Sequence, residues 1–347
     1  MIDKSIRLGN HIIGVNNPTF IIAEAGVNHN GDVDLAKQLI RKAKECGADS
    51  VKFQTFKAEQ VASSTAPKAS YQLKSTDPDQ SQLDMLRALE LGEKYYPELM
   101  NICIEEEIQF LSTPYSFEDV DFLDELGVAA FKIASGQLIE LPFLDHVARK
   151  GKPIILSTGM GTIKEVEDAI RVISRTGNKK VIILQCTTNY PSLLEEANLL
   201  AMETMKNRFQ VLSGYSDHTF GNTAAIAAVS MGACLIEKHF TIDKSLPGPD
   251  QVTSANPEEF LQLVRLVRDT EKCLGLPEKK PSHQEKKNIS GMRRSLVAKR
   301  NISKGNVLSW DNVTFKRPAT GILGNQCHLV LGKRANQNIL TDTIIDI

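Results

Sequence analysis

Short apolar runs alternate with longer segments of helical spacing throughout residues 1–275. Each run is long enough for one strand, and the runs alternate with helices, which is typical of a parallel sheet. Eight such repeats over roughly 250 residues favour closure of the sheet, so we predict a (β/α)₈ TIM barrel of α/β class. The predicted strands are Phe20–Glu24, Ser50–Gln54, Gln109–Ser112, Ala130–Ala134, Pro153–Ser157, Val181–Gln185, Val211–Gly214 and Leu235–His239.

Helical spacing of apolar residues is clearest in segments 35–43, 120–126 and 166–173. Several of these predicted helices end near a glycine, as at Gly127, where a left-handed cap is common. The long stretch Lys57–Tyr96 has no regular pattern, and we interpret it as an elaborated connection after the second strand.

The composition changes after the barrel pattern ends. Residues 277–290 (PEKKPSHQEKKNIS) contain almost no apolar side chains, which is typical of a linker. Apolar, β-like runs return at Ser295–Ala298, Val307–Ser309, Val313–Phe315 and His328–Leu331. The sequence therefore predicts a barrel domain over 1–276, a linker over 277–290 and a small β-rich domain over 291–347.

Charge and apolar content limit the function classes. The chain has 41 Lys and Arg against 42 Asp and Glu, a net charge of −1, which argues against nucleic acid as a partner. No apolar run approaches the length of a membrane span, and the N-terminus lacks the apolar core of a signal peptide. We therefore expect a cytoplasmic protein without a membrane partner, with its six scattered cysteines reduced.

Polar or ionisable residues stand at the end of every predicted strand, where the catalytic groups of a TIM barrel lie. Alternate residues of a strand share a face, so one mouth would hold Lys52, Gln54, Lys132, Glu237 and His239. Two lysines between apolar neighbours, with several Ser and Thr hydroxyls, suit an anionic substrate such as a phosphate or a carboxylate.

His218 and His239 follow adjacent strands, and two imidazoles at one mouth can hold a divalent cation. No cysteine has the spacing of a zinc ligand. We therefore expect Mn²⁺ or Mg²⁺, with water and substrate in the remaining positions.

Eight segments of the barrel pattern carry recognisable motifs: 22–31 (IAEAGVNHNG), 51–55 (VKFQT), 111–114 (LSTP), 131–136 (FKIASG), 155–160 (ILSTGM), 216–218 (SDH), 237–241 (EKHFT) and 247–250 (PGPD). The tail adds 294–298 (RSLVA), 302–305 (ISKG) and 316–318 (KRP). Together these motifs resemble the sialic acid synthase family over nearly the whole chain, and those of the tail look like that family's antifreeze-like (SAF) domain.

The resemblance implies a condensation of phosphoenolpyruvate with an N-acylated hexosamine and water, giving a nine-carbon 2-keto acid and phosphate by C–O cleavage. N-acetylmannosamine, giving N-acetylneuraminate, is the first expectation. Catalytic roles fall to Glu24, Lys52, Lys132 and Glu237. Phosphoenolpyruvate would be held by Lys52, Thr113, Lys132, Ser135, Ser157, Thr188 and Ser216, and the sugar by Glu24, Gln54, Tyr190, Asp250 and Arg317.

The resemblance also implies that His218 and His239 bind the metal, with Mn²⁺ favoured and Mg²⁺ or Co²⁺ as alternatives. It further implies a domain-swapped homodimer in which Arg317 reaches the acyl group of the sugar in the partner's site. The sequence departs from the family pattern at Gln185 (often His), at Ser192–Leu193 (often Thr-Pro) and at Ala319, where the SAF signature often has Gly.

Three alternatives stay open. A legionaminate or pseudaminate synthase would use a diacetamido-trideoxyhexose instead of N-acetylmannosamine. A metal-free aldolase or lyase would use Lys132 or Lys52 as a Schiff base. A non-catalytic sugar binder is disfavoured, because such a site needs aromatic platforms and Trp310 is the single tryptophan.

Overall fold

The computed structural model describes residues 4–345, which form two compact units divided between Gly275 and Leu276. In the first unit, a hairpin precedes eight parallel barrel strands, and each of the eight predicted runs is confirmed as one of these strands. The hairpin strands are β1 (Ser5–Leu8) and β2 (His11–Gly14), and the barrel strands are β3 (Phe20–Gly26), β4 (Ser50–Thr55), β5 (Gln109–Pro114), β6 (Phe131–Ile133), β7 (Ile154–Ser157), β8 (Val181–Cys186), β9 (Leu212–Asp217) and β10 (Leu235–His239).

Neighbouring barrel strands are hydrogen-bonded in the order β5-β4-β3-β10-β9-β8-β7-β6. The two end strands of this order, β5 and β6, lie side by side, so the sheet curls into a nearly closed barrel. A side chain bridges the seam between them, because Gln137 Nε2 donates a hydrogen bond to the carbonyl oxygen of Pro114 at 3.1 Å. The TIM-barrel prediction is therefore confirmed.

The strand register sets which residues are neighbours at the carboxyl ends. Glu24 of β3 is paired with His239 of β10 on one side and with Lys52 of β4 on the other. Glu237 of β10 is paired with Ser216 of β9. Residues far apart in the sequence are thereby fixed side by side by backbone hydrogen bonds.

Eleven helices are described in the first unit, and most of them cover the outside of the barrel. Side-chain caps begin several of them: Thr162 and Glu165 form a capping box on α8, and Gly127 ends α6 in the left-handed conformation. None of the helices within residues 4–345 combines the length and the apolar character needed to cross a membrane. The eleven are α1 (Val33–Glu45), α2 (Ala58–Val61), α3 (Ser70–Ser75), α4 (Gln82–Leu89), α5 (Tyr96–Glu105), α6 (Phe117–Leu126), α7 (Leu141–Arg149), α8 (Ile163–Arg175), α9 (Leu200–Phe209), α10 (Thr223–Ser230) and α11 (Pro257–Leu274).

The N-terminal hairpin was not predicted from the sequence. Its side chains Ile6, Leu8 and Ile13 are buried in one apolar cluster with barrel residues at the start of the strands, such as Phe20 and Leu235. The hairpin therefore closes the end of the barrel at which the parallel strands begin, opposite the end that carries the polar residues.

The second unit contains α12 (His283–Met292) and an antiparallel pair, β11 (Ser295–Ala298) and β12 (Val313–Lys316). Its core is small and made of aliphatic side chains, including Leu296, Ile302 and Val313. Helix α12 begins within the segment whose composition indicated a linker, 277–290, and extends to Met292. Its side chains are largely exposed, and Ser282 with Glu285 forms a capping box at its start.

Two of the four β-like runs expected in the tail are strands, and two are not. Val307–Ser309 contributes an isolated bridge between Val307 and Arg334, outside any strand. His328–Leu331 was wrongly interpreted, since residues Gly324–Leu329 form a 3₁₀ helix. A short apolar run is compatible with either conformation, so periodicity alone could not separate them.

Candidate active site

The inward-facing side chains of the barrel change character along its axis. Toward the start of the strands they are apolar and form one buried cluster, which includes Ile22, Leu111 and Leu184. Two residues further along the same strands, the inward positions hold Glu24, Thr113 and Cys186 instead. Because alternate residues share a face, one strand supplies both the apolar interior and the polar end.

The polar ends open into a pocket of about 360 Å³, a size typical of small-molecule sites. All the barrel residues predicted to act in the site line this pocket: Glu24, Lys52, Gln54, Thr113, Lys132, Ser135, Ser157, Thr188, Tyr190, Ser216, His218, Glu237, His239 and Asp250. The remaining predicted residue, Arg317, lies in the second unit, where its Nε donates to the carbonyl oxygen of Met292 at 3.2 Å.

Four charged residues form what we call the polar floor: Glu24, Lys52, Lys132 and Glu237. Their side chains are between 3% and 5% exposed, so neither lysine extends into solvent. Lys52 Nζ lies 2.7 Å from Glu24 Oε2 and 3.8 Å from Glu237 Oε2, while Lys132 Nζ lies 3.3 Å from Glu237 Oε1. The two positive and two negative groups are therefore mutually paired.

Burial and pairing act in opposite directions on the pKa values of the floor. Burial alone would raise the pKa of Glu237, but Lys132 and Lys52 outweigh it and lower the pKa to about 2. The pKa of Glu24 is raised by burial, although Lys52 opposes that shift. Burial lowers the pKa of Lys132. One carboxylate is thus held ionised, and the other is better able to exchange a proton.

The imidazoles of His218 and His239 lie beside the polar floor, with ring centroids 5.4 Å apart. His218 Nδ1 is 2.7 Å from the carbonyl oxygen of Thr187, so this nitrogen carries a proton, and Nε2 offers its lone pair when the ring is neutral. His239 Nδ1 is buried without a hydrogen-bond partner, and burial lowers the pKa of this imidazole well below its ordinary value. Both rings can offer a nitrogen lone pair, as metal ligands must.

These two histidines fit a divalent cation. A ligand imidazole commonly donates its other ring proton to a carbonyl, as His218 does to Thr187. Among residues 4–345, no group of three or more His, Cys, Asp or Glu side chains is arranged to hold a metal. A cation held by two imidazoles would leave its remaining coordination positions to water or substrate.

Behind the histidines lies a buried ion pair that sequence reasoning did not identify. Lys238 Nζ is 2.7 Å from Asp217 Oδ2 and donates to the carbonyl oxygen of Thr219 at 2.8 Å. It therefore holds both chain neighbours of His218 while itself preceding His239. The alternation of β10 predicted that Lys238 points away from the mouth, but nothing in the sequence identified its partner.

Hydroxyl groups line the side of the pocket formed by β6, β7 and β8. Ser157 Oγ and Thr188 Oγ1 are buried without a hydrogen-bond partner, which is costly unless a ligand supplies one. Gly159 allows this close packing, since a Cβ there would lie 2.2 Å from Thr188 Oγ1 and 2.8 Å from Ser135 Oγ. These hydroxyls can donate hydrogen bonds to the oxygens of an anion.

Aromatic rings cover the histidines from the outer side. The ring of Tyr190 lies 4.2 Å from that of His218, and Tyr71 of α3 lies 4.9 Å from Tyr190. Helix α3 is tied to the loop after β10, because Ser75 Oγ donates to the carbonyl oxygen of Pro249 at 3.1 Å. Burial, reinforced by Glu24, raises the pKa of the neighbouring Asp250 to about 7.

Other residues that line the pocket were not predicted from the sequence. Cys186 was not among the predicted site residues, yet its Sγ lies in the pocket, 3.6 Å from Ser135 Oγ and 3.9 Å from His218 Nδ1. Its inward position follows from the alternation of β8 and could have been found. The departure at Gln185 lies on the opposite parity, and its Nε2 donates to the carbonyl oxygen of Ala197, outside the pocket lining.

Comparison with known proteins gives matches over nearly the whole chain. A model of the NeuB family matches residues 39–279, and a model of the SAF domain matches residues 293–346. The chain is 49% identical over 329 residues to N,N'-diacetyllegionaminic acid synthase of Campylobacter jejuni, a match that covers 94% of this chain and 98% of that protein. Its identity to the synthase of the same name from Legionella pneumophila is 45% over 336 residues, or 96% and 94% of the two chains.

A solved structure agrees with these matches. The crystal structure of N-acetylneuraminic acid (sialic acid) synthetase from Leptospira borgpetersenii, in complex with citrate, aligns with a TM-score of 0.75 at 34% identity. The alignment covers 83% of this chain and 96% of that one. The chain therefore belongs to the NeuB family, carries a C-terminal SAF domain, and is an enzyme of the sialic acid synthase type.

Proposed function

We propose that this enzyme condenses phosphoenolpyruvate with an N-acylated hexosamine and water, and releases phosphate and a nine-carbon 2-keto acid. The observation that carries the proposal is that two buried ammonium groups and two imidazoles share one pocket. For the sugar we favour a diacetamido-trideoxyhexose over N-acetylmannosamine, because the two relatives with 49% and 45% identity are named for diacetyllegionaminic acid.

Phosphoenolpyruvate would bind along the lysines and hydroxyls. Lys52 and Lys132 would contact its anionic groups, and the unpaired hydroxyls of Ser157 and Thr188 would donate to the phosphate. Thr113, Ser135 and Ser216 also line the pocket. Holding both substrates in one enclosed geometry removes much of the entropic barrier to their reaction.

The reaction forms one carbon–carbon bond. The methylene carbon of phosphoenolpyruvate attacks the sugar aldehyde, water adds to the carbon that bears the phosphate, and the C–O bond to phosphate then breaks. The attacking water loses one proton, which balances the proton that the sugar alkoxide gains, and its second proton goes to the departing phosphate as the keto group forms. We assign this proton exchange to Glu24, whose pKa is raised by burial, with Glu237 remaining ionised to stabilise the positive charge that develops.

A divalent cation held by His218 and His239, Mn²⁺ in our proposal with Mg²⁺ or Co²⁺ as alternatives, would act as a Lewis acid toward the sugar aldehyde. The polar floor by itself has no excess positive charge, since its two ammonium groups are matched by two carboxylates. Gln54, Tyr190 and Asp250 would then orient the hydroxyl and acylamino groups of the sugar.

We further propose a domain-swapped homodimer, in which Arg317 of one subunit contacts the sugar's acyl group in the other. Replacing Arg317 with Ala should raise the KM for the sugar more than that for phosphoenolpyruvate. Mixing an Arg317→Ala subunit with a His218→Ala subunit should then restore part of the activity. Equal changes in both KM values, with no recovery on mixing, would contradict this arrangement.

We place the reaction in the cytoplasm, a proposal with which the six free cysteines agree. Reduced thiols are typical of proteins in reducing compartments.

The direct test is phosphate release from phosphoenolpyruvate by the purified full-length chain, with each sugar in turn, and the mass of the keto-acid product. We expect turnover with the diacetamido sugar, loss of turnover in excess EDTA, and recovery with Mn²⁺. A separate assay tests the Schiff-base alternative, because burial lowers the pKa of Lys132 and so favours the neutral amine. Full activity in EDTA together with a borohydride-trapped adduct would replace our proposal with that alternative.

A further inference from the structure

One side of the pocket is apolar, in contrast to its charged floor. Four buried side chains form a separate cluster there, which we call the apolar wall: Val27, Phe56, Met85 and Leu89. All four line the pocket, and Leu86 packs against them. Met85, Leu86 and Leu89 belong to α4, in the connection between β4 and β5 that the sequence presented as irregular.

The apolar wall is continuous with the polar groups assigned to the sugar. Phe56 packs edge-on against Tyr115, with ring centroids 5.9 Å apart. Tyr115 donates from its hydroxyl to Gln54 Oε1 at 3.3 Å, and Gln54 Nε2 donates to Glu24 Oε1 at 3.3 Å. A molecule that contacts Glu24 with one end therefore meets the wall as it extends past Gln54.

Hydrogen bonds between α2 and α4 hold the wall in place. The backbone N–H of Ala58 in α2 donates to Glu90 Oε1, just after α4, at 2.6 Å. Arg87 of α4 pairs with Glu59 of α2 through Nε at 2.7 Å. These contacts tie α4 to α2 and fix the position of the wall.

The pocket has few groups that could bind a polar or charged substituent at the wall. Among the described residues that line it, the only cationic side chains other than histidine are Lys52 and Lys132, both in the polar floor. Arg87 is engaged by Glu59 and Asp84. Gln72 and Gln82 also line the pocket, but both are only half-buried, and Gln72 Oε1 already accepts a hydrogen bond from the N–H of Ala69. A hydroxyl or phosphate placed directly against the four apolar side chains would lose water without gaining a partner from them, and that loss is unfavourable.

We propose that the apolar wall receives the unreactive end of the sugar as a methyl group, and that Val27, Phe56, Met85 and Leu89 thereby select a sugar whose terminal carbon is deoxygenated. This inference rests on the proposed function. The aldehyde must lie at the polar floor, so the opposite end of a six-carbon chain is the part that extends toward the wall. The apolar wall then determines which sugar is accepted, while the residues of the polar floor catalyse the reaction.

The test compares N-acetylmannosamine with its 6-deoxy analogue, two sugars that differ by one oxygen atom. The measurement is kcat/KM for phosphate release by the full-length enzyme at saturating phosphoenolpyruvate and Mn²⁺. We expect the 6-deoxy sugar to be preferred by about tenfold or more, the range for a buried hydroxyl left unpaired.

Two variants test whether the wall causes this preference. Val27→Thr is nearly isosteric and Met85→Gln adds an amide, so each should shift the preference toward N-acetylmannosamine by several-fold. Leu73→Gln is the matched control, since Leu73 is 47% exposed on α3 and does not line the pocket. If Met85→Gln does not fold, the shift in sugar preference is measured in Val27→Thr alone.

The outcomes separate the two proposals. Equal kcat/KM for the two sugars, or an unchanged preference in folded Val27→Thr, would overturn the role of the wall and leave the proposed function standing. Absence of phosphate release with both of these sugars and with the diacetamido-trideoxyhexose would overturn the proposed function, and the wall's role with it.

Discussion

The polar floor and the apolar wall border the same pocket but are built differently. The floor stands on the strands, where backbone pairing between β3, β4 and β10 fixes the relative positions of Glu24, Lys52 and Glu237. The wall stands mainly on a short helix in a connection, held by contacts between α2 and α4. Groups that need exact mutual placement therefore lie on the rigid sheet. The surface proposed to meet the terminal carbon of the sugar lies instead on a connection between strands, which can change without disturbing the sheet.

The largest effect should come from removing an imidazole beside the floor. We expect His218→Ala to abolish Mn²⁺-dependent phosphate release, a loss of at least about 100-fold, because the cation would keep only one protein ligand. His146→Ala is the control, since His146 pairs with Asp121 on the barrel exterior. Retained turnover in His218→Ala, with an unchanged circular dichroism spectrum, would contradict the assignment of the site.

A somewhat smaller loss should follow removal of one ammonium group. Lys132→Met deletes the cation nearest Glu237 Oε1, and we expect kcat/KM for phosphoenolpyruvate to fall by about 100-fold. The KM for the sugar should change much less, since the sugar is placed on the side of Gln54 and Tyr190. Initial-rate measurements with each substrate varied in turn check this, and an equal rise in both KM values would contradict the placement of phosphoenolpyruvate.

The ion pair behind the histidines should affect metal affinity and not sugar choice. In the double variant Asp217→Asn with Lys238→Met, no unpaired buried charge is left, so the fold should persist. We expect Mn²⁺ affinity to fall by about 10- to 100-fold, because His218 and His239 lose the cross-link between their neighbours. Lys244→Met, which removes a surface pair with Glu259, is the control. Unchanged Mn²⁺ affinity in the double variant would show that this pair does not position the ligands.

A change at His29, in the loop after β3, should have the smallest effect on turnover at pH 7 and should alter mainly how stability depends on pH. Glu24 of the floor and Val27 of the wall lie in the same part of the chain. His29 in this loop is fully buried, and its Nδ1 accepts a hydrogen bond from the N–H of Gly31. Burial lowers the pKa of His29 to about 4, so the unfolded chain takes up a proton first as the pH falls below 6.5. The free energy of unfolding should therefore decrease between pH 6.5 and 4, by on the order of 3 kcal/mol, and level off below.

Chemical denaturation across that pH range checks this expectation, with His29→Gln as the variant and His283→Gln, on the exposed α12, as the control. The decrease should be smaller in His29→Gln and unchanged in His283→Gln. An identical pH profile in wild type and His29→Gln would show that His29 does not link the stability of this loop to pH.

The floor could be predicted from the sequence, and the wall could not. Lys52 and Lys132 stand between apolar neighbours within predicted strands, a pattern that an inward-facing charge in a barrel explains. Met85 and Leu89 have the spacing of any amphipathic helix, and nothing local indicates that their apolar side faces a pocket. The burial of α4 residues depends on tertiary contacts with Val27 and Phe56, which lie far away in the sequence.

Other misses have the same physical origin. The hairpin of β1 and β2, which closes one end of the barrel, is too short for its alternation of apolar and polar residues to be recognised. Its burial depends on the barrel end that it covers. The partner of Lys238 is set by the register of β9 against β10, which the sequence does not specify. Conversely, each barrel strand was found because its alternating apolar positions and its polar end arise within a single run.

The most direct test of the account is titration calorimetry of Mn²⁺ into the chelator-treated full-length chain. We predict one binding site per chain in the wild type and in Met85→Gln, and loss of that site in both His218→Ala and His239→Ala. Binding that is undiminished in both histidine variants would contradict the claim that two imidazoles beside the polar floor share a cation.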